Sequence, residues 1–231
     1  MIIVTRPKPW AEPLCDKLKS AQIHYRYLPA ARLEKTDYKP QKNFGGITLF
    51  LSQSGVLFAP DALDFEMVFA VGPKTAQAVE NKYTCDCYQP RPGHYSVSGL
   101  LEDPYFIRQM EANSVLHIIG GMHSDVSRFD SLNTKVVMHR VYEMIPIAHQ
   151  VNGIPQQGEI WFTSQKLMQL FFEYYILTLN EKNLLSYDIV VPTMMCQEQA
   201  VALGFKGHIE VVSDPRDESF IAHYQVKHRS K

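Results

Sequence analysis

A chain of 231 residues, 45% hydrophobic and 20% charged, is long enough for one large domain or two small ones with separate cores, and its composition excludes disorder. The formal net charge of −1 excludes a protein held to nucleic acid by bulk charge, though not one that binds an anionic small molecule at helix N-termini. No run reaches the roughly 18 apolar residues of a membrane span, since even Leu167 to Leu179 is broken by Gln169 and Glu173.

Met1 to Pro7 lacks the apolar stretch of a signal peptide, so the chain is expected to stay in the cytoplasm. Ile2-Ile3-Val4 reads as a short buried strand. Pro7 and Pro9 then break the chain before a helical pattern on Trp10, Leu14 and Leu18. A second strand near Ile23 to Leu28 completes a β-α-β unit, after which Pro29-Ala30-Ala31-Arg32-Leu33 leads into a polar stretch up to Phe44 that reads as a crossing between lobes.

From Ile47 the predicted strands fall at about 47–51, 67–71, 84–88, 115–119 and 136–141, separated by helical patterns near 54–64, 74–82, 96–111 and 124–132. Such alternation implies a mainly parallel sheet covered by helices on both faces, with ligand sites at the C-terminal strand ends. After Tyr142, a segment with Pro146, Gly153 and Pro155 reads as the return crossing, and alternation resumes at Ile160. The expected organisation is a discontinuous first α/β domain, 1–34 plus 152–231, and an inserted second α/β domain, 38–141. Linkers fall at about 30–40 and 142–152.

The four cysteines, Cys15, Cys85, Cys87 and Cys196, form no disulfide framework. Cys85 and Cys87 would point to opposite faces of a strand, poor geometry for sharing a metal. No G-x-G-x-x-G, P-loop, H-E-x-x-H or G-x-S-x-G pattern occurs, so neither a cofactor nor a metal is expected. His117 and His123 have no acidic partner in the sequence to orient them. Hydroxyl residues stand at strand-to-helix turns in both halves: Ser52, Ser54 and Thr75 in one, Thr163, Ser164 and Thr193 in the other. Taken alone, each is an N-cap candidate. Tyr142, at a strand end where the chain leaves the second domain, is either a packed interface residue or one that offers its hydroxyl to a cleft.

Several pieces together resemble the uroporphyrinogen-III synthase family. Val4-Thr5-Arg6-Pro7 is similar to the family's N-terminal signature, and Phe50-Leu51-Ser52-Gln53-Ser54-Gly55-Val56 to its serine-bearing strand turn. Phe69-Ala70-Val71-Gly72-Pro73-Lys74-Thr75-Ala76 is similar to its V-G-x-x-T-A turn. Val141-Tyr142, Phe162-Thr163-Ser164 and Val190-Val191-Pro192-Thr193 follow in the family's order. The resemblance implies two flavodoxin-like or Rossmann-like three-layer domains joined by two extended linkers.

The implied activity is cyclisation of hydroxymethylbilane, a linear tetrapyrrole, to uroporphyrinogen III with loss of water and inversion of ring D through a spiro intermediate, in haem biosynthesis. The implied enzyme is a cofactor-free monomer, with at most a transient contact to hydroxymethylbilane synthase. Carried over by motif, Tyr142 would assist departure of the hydroxyl, and Arg6, Ser52, Gln53, Ser54, Thr75, Thr163, Ser164 and Thr193 would bind substrate. Where the family has an R-G-x-x-G-R-like turn, this chain has Ile119-Gly120-Gly121-Met122-His123-Ser124. Arg128, one helical turn after Ser124, is the candidate replacement cation. Two other functions fit the same pattern: a synthase-like module without activity, and a two-lobed small-molecule binding protein.

Overall fold

The protein is described by a computed structural model covering residues 1–39, 43–147, 157–212 and 216–229. It divides into two compact units, Met1–Arg32 with Ile145–Lys231, and Leu33–Met144. Each unit is built on one five-stranded sheet.

In the first unit, β1 (Ile2–Val4) is followed by α1 (Ala11–Ser20) and β2 (Tyr25–Tyr27). The chain returns with β8 (Glu159–Trp161), α6 (Gln165–Phe171), β9 (Asp188–Val191), α7 (Met194–Ala202), β10 (Ile209–Val211) and α8 (Asp217–Arg229). The order across the sheet is β2-β1-β8-β9-β10, all parallel. Renumbered within the unit this is 2-1-3-4-5, the doubly wound flavodoxin-like order. Ile2, Val4, Trp161 and Val190 pack with Leu14 and Leu18 of α1 and Phe220 of α8. The alternating neighbours Ile3, Ile160, Ile189 and Val191 are equally buried, as a sheet covered on both faces requires.

The second unit contains β3 (Ala31–Lys35), β4 (Asn43–Phe50), α2 (Gln53–Phe58), β5 (Asp64–Ala70), α3 (Pro73–Tyr83), α4 (Val97–Leu101), α5 (Pro104–Ala112), β6 (Val115–Gly121) and β7 (Lys135–Pro146). Its sheet order is β3-β7-β6-β4-β5, with β5, β4, β6 and β7 mutually parallel. Those four repeat the 2-1-3-4 winding, and the incoming β3 occupies the fifth place. Ile47, Leu49, Leu116 and Ile118 face Leu100, Phe106 and Met110 of α4 and α5. Phe50 and Ile119 face Val56 and Val79 of α2 and α3. Two helices cover each face.

Five sequence expectations need correction. The crossing read over the polar stretch from Leu33 to Phe44 contains the end of β3 and the start of β4. No strand forms over 84–88; Tyr88 makes a single bridge to Phe69 before Pro90 and Pro92, which cannot extend a ladder. The helix read over 96–111 is two helices, because Asp103 accepts the Tyr105 and Phe106 N–H groups and Pro104 occupies the first helical position, starting a new helix. The helix read over 124–132 is absent apart from one 3-10 turn at Ser127–Phe129. There Ser124 and Asp125 side chains take the Gly121 and Ser127 N–H groups, local bonds that compete with a helix. Finally, β7 does not stop at residue 141 but runs to Pro146, so Tyr142 is inside a strand. The remaining part of the return crossing, 148–156, and residues 40–42 lie outside the described residues.

Candidate active site

In doubly wound sheets a ligand binds beyond the carboxyl ends of the strands where the winding reverses. In the second unit that point lies between β4 and β6. Phe50 ends β4, and Ser52 then caps α2, its Oγ accepting the Gly55 N–H at 3.1 Å. β6 ends on Gly120-Gly121. From β7, on the far side of β6, the Tyr142 hydroxyl meets Ser52 Oγ at 3.2 Å. The ring stacks on Phe58 with centroids 5.8 Å apart, and the residue is 7% exposed.

Glycine at 121 permits this reach across β6: a Cβ there would lie 3.0 Å from Tyr142 Cζ and 3.2 Å from its hydroxyl oxygen. The ladder contributes as well. Gly120 pairs with Arg140 but Gly121 with Tyr142, leaving Val141 as the extra residue of a bulge, the device that re-aims side chains at strand ends. The turn after β6 is then tied down by three bonds. Gly121 N donates to Ser124 Oγ at 3.0 Å, Met122 N to the Tyr142 carbonyl at 2.7 Å, and Arg140 Nε to the Met122 carbonyl at 2.9 Å.

In the first unit the reversal lies between β1 and β8. Thr5, fully buried, donates to the Trp161 carbonyl at 2.7 Å. Thr163 is partly buried, and Ser164 caps α6 by accepting the Leu167 N–H at 3.3 Å. Thr193 caps α7 by accepting the Cys196 N–H at 3.2 Å, and Met194 and Met195 beside it are exposed. Arg6 is held by Asp217 at 2.7 Å and by the Trp10 carbonyl at 3.3 Å, with 13% of its side chain exposed.

Of the sequence candidates, then, Ser52 and Tyr142 are brought together, and Ser52, Ser164 and Thr193 are N-caps. Gln53 donates to the Lys74 carbonyl at 3.3 Å. Ser54 and Thr75 are buried in the first turns of α2 and α3. Arg128 shares no helix with Ser124; its Nη1 donates to Ser98 Oγ at 3.1 Å.

Sequence reading gave His123 no acidic partner, yet Glu143 lies 3.5 Å from its Nε2. Gly121 and Arg140 were not anticipated as parts of this turn; β6 ends at Gly121, whereas Arg140 lies in the middle of β7. His117 is buried, its Nδ1 2.8 Å from His139 Nε2, and the other His139 nitrogen is bonded to the Tyr38 hydroxyl. Burial lowers both imidazole pKa values, that of His139 to about 4. Burial also pushes the Cys87 thiol up to about 12, which removes it as a nucleophile.

Among the described residues no group of three or more His, Cys, Asp or Glu side chains is placed to hold a metal, and no helix is long and apolar enough to cross a membrane.

No sequence family model and no curated protein sequence matches the chain. Solved structures do. A uroporphyrinogen-III synthetase from Helicobacter pylori superposes with a TM-score of 0.63 at 12% identity, covering 98% of this chain and 99% of that one. A mutant uroporphyrinogen III synthase from Thermus thermophilus superposes with a TM-score of 0.57 at 13% identity, over 100% of both chains. The chain therefore has the fold of these proteins from end to end.

Proposed function

We propose that this chain is a uroporphyrinogen-III synthase: it cyclises hydroxymethylbilane, inverting ring D and releasing water. The observation that carries the reading is the Tyr142–Ser52 hydroxyl pair, 3.2 Å apart, at the reversal point of a fold shared over its full length with two proteins named for this activity.

Chemically the task is modest in acid-base terms. A pyrrole nitrogen expels the terminal hydroxyl, so the enzyme must hold the chain ends in near-attack geometry and assist the departing oxygen. In this reading the Tyr142 hydroxyl hydrogen-bonds the leaving oxygen, and Ser52, itself fixed by the Gly55 N–H, orients the phenol. Substrate carboxylates are taken by main-chain N–H groups and hydroxyls at the helix starts of the second unit, at Ser52, Gln53, Ser54 and Thr75. The α2 and α3 starts supply the first-turn N–H groups that a helix leaves unpaired.

The test is direct. Freshly made hydroxymethylbilane is supplied, and the ratio of type III to type I uroporphyrinogen is measured. Type III in excess of the spontaneous reaction is the expected result; type I alone would leave a synthase-like module without activity. Tyr142→Phe is expected to lower turnover by about tenfold to a thousandfold, the range for one positioned donor. An unchanged rate removes Tyr142 from the mechanism.

A further inference from the structure

We propose that Lys74 is a substrate-binding cation of the second unit, pairing with an acidic side arm at the start of α3, where the Thr75 hydroxyl and the Lys74 N–H stand open. The inference rests on the reading of a polycarboxylate pyrrole substrate given above. β4 and β5 are adjacent and parallel, with Phe50 in register with Ala70, so the chain leaves the sheet at Ser52 and at Gly72 side by side. One residue beyond Ser52, the Gln53 side chain donates to the Lys74 carbonyl at 3.3 Å. This bond joins the two helix starts. Both helices pack on the face of the sheet that carries Tyr142, through Val56 and Val79, so Lys74 belongs to the same rim and the same face as the Ser52–Tyr142 pair.

The start of α3 is open where that of α2 is closed. Ser52 caps α2, whereas Gly72 has no side chain with which to cap α3. Pro73 has no N–H, and the Thr75 and Ala76 N–H groups go to the Gly72 carbonyl. Among the described residues the Lys74 N–H has no acceptor. Thr75 is 6% exposed, and among the described residues its hydroxyl has no hydrogen-bond partner, yet its oxygen is not sealed from solvent as that of Thr48 is. A buried threonine whose hydroxyl is unpaired but reachable leaves a hydrogen-bond position to be filled from outside.

The Lys74 side chain is exposed, and among the described residues its ammonium carries no hydrogen bond or ion pair. Gln77 and Ala78, three and four residues on, offer it no charge. Helical side chains tilt toward the N-terminus, so a lysine in the first turn of α3 leans toward the carboxyl ends of the strands. A cation there opposes the helix dipole, and an anion beside it relieves the conflict. Nor does the glutamine bond call for lysine: in the first unit Gln165 makes the matching bond to the Met195 carbonyl at 3.2 Å, and Met195 is 55% exposed. Arg128, the cation expected from the sequence, is held by Ser98 at 3.1 Å. A carboxylate at the start of α3 would meet the ammonium, the Lys74 N–H and the Thr75 hydroxyl together.

Fluorescence titration of the full chain with uroporphyrin III, an octa-acid, at low and high ionic strength tests this. Wild type, Lys74→Gln, Lys74→Arg and Lys135→Gln are compared. Lys135 is exposed at the amino end of β7, the opposite edge of the same sheet. We expect Lys74→Gln to weaken binding about tenfold at low salt, the loss of one charge-assisted pair, and the difference to shrink at high salt. Lys74→Arg should keep most of the affinity, and Lys135→Gln should match wild type. The thermal unfolding midpoint of Lys74→Gln should be unchanged or slightly raised, because a cation leaves a helix start.

Equal affinity in wild type and Lys74→Gln overturns the proposal, as do equal losses in Lys74→Gln and Lys74→Arg, an equal loss in Lys135→Gln, or failure of the wild type to bind. Weakened binding with a lowered midpoint overturns it too, since it would assign Lys74 to the fold. The product assay separates this from the broader reading. Type III product with an affinity independent of Lys74 removes the cation and leaves the synthase; Lys74-dependent binding with only type I product keeps the cation and removes the synthase.

Discussion

At Gly121 one missing side chain decides the site's geometry. The Tyr142 ring is pinned between that glycine and Phe58, so an added methyl at 3.0 Å has to push the phenol off Ser52. Gly121→Ala is expected to cost about 1–3 kcal/mol, as overpacking does, read as a fall in the urea midpoint. It should also lower turnover in the same direction as Tyr142→Phe although it leaves the hydroxyl in place. Full activity in Gly121→Ala would mean that the Ser52 contact does not position the phenol.

A second residue-level case is Asp217, 4% exposed in its side chain and bonded to both Arg6 and Lys17. Removing the carboxylate with Asp217→Ala leaves Arg6, itself largely buried, without its compensating charge. We expect a loss of about 3–5 kcal/mol, measured by urea denaturation, with little effect from the exposed Lys8–Glu12 pair when Glu12→Ala is the control.

Between elements, the histidine pair joins β6 to β7, and Tyr38 ties the segment after β3 to the same pair. Phe44 of β4 lies edge-on to both rings. Because His139 is neutral in the fold down to about pH 4, while an unfolded histidine protonates near pH 6.5, acid favours the unfolded chain. Stability supplied by the neutral pair is complete above pH 6.5, declines as the pH falls from there, and is lost by about pH 4. On the order of 3 kcal/mol is at stake. The slope of unfolding free energy against pH in that interval should flatten in His139→Phe; an identical slope would show that the pair does not carry the acid sensitivity.

Element by element, the sequence was most legible where one local rule acts. Ser52, Ser164 and Thr193 sit just before apolar periodic runs, and each is the N-cap of the helix it starts. Legibility failed where two local rules compete, as at Ser124 and Asp125, whose side chains take N–H groups that a helix over 124–132 would have needed. It failed again where the partner is remote. Ser52 and Tyr142 meet across 90 positions, and the bulge that aims Tyr142 depends on a register that periodicity does not encode.

For the whole molecule, the repeated winding has a consequence for folding. The second unit is contiguous, carries two hydrophobic clusters on opposite faces of its own sheet, and includes every strand of that sheet between residues 31 and 147. A domain of about this size is able to bury a sufficient core by itself. The first unit is assembled from the two ends of the chain, with β1 paired to β8 across more than half the sequence, a non-local closure that is slow to form. A fragment spanning residues 31–147 is therefore expected to unfold as one cooperative transition on its own, while a fragment spanning 157–231 lacks β1 and β2, two of the five strands of its sheet and both neighbours on one side of β8, and should show none. Circular dichroism melts of the two fragments check this. A non-cooperative melt of the first fragment would mean that the second unit requires the first for its fold.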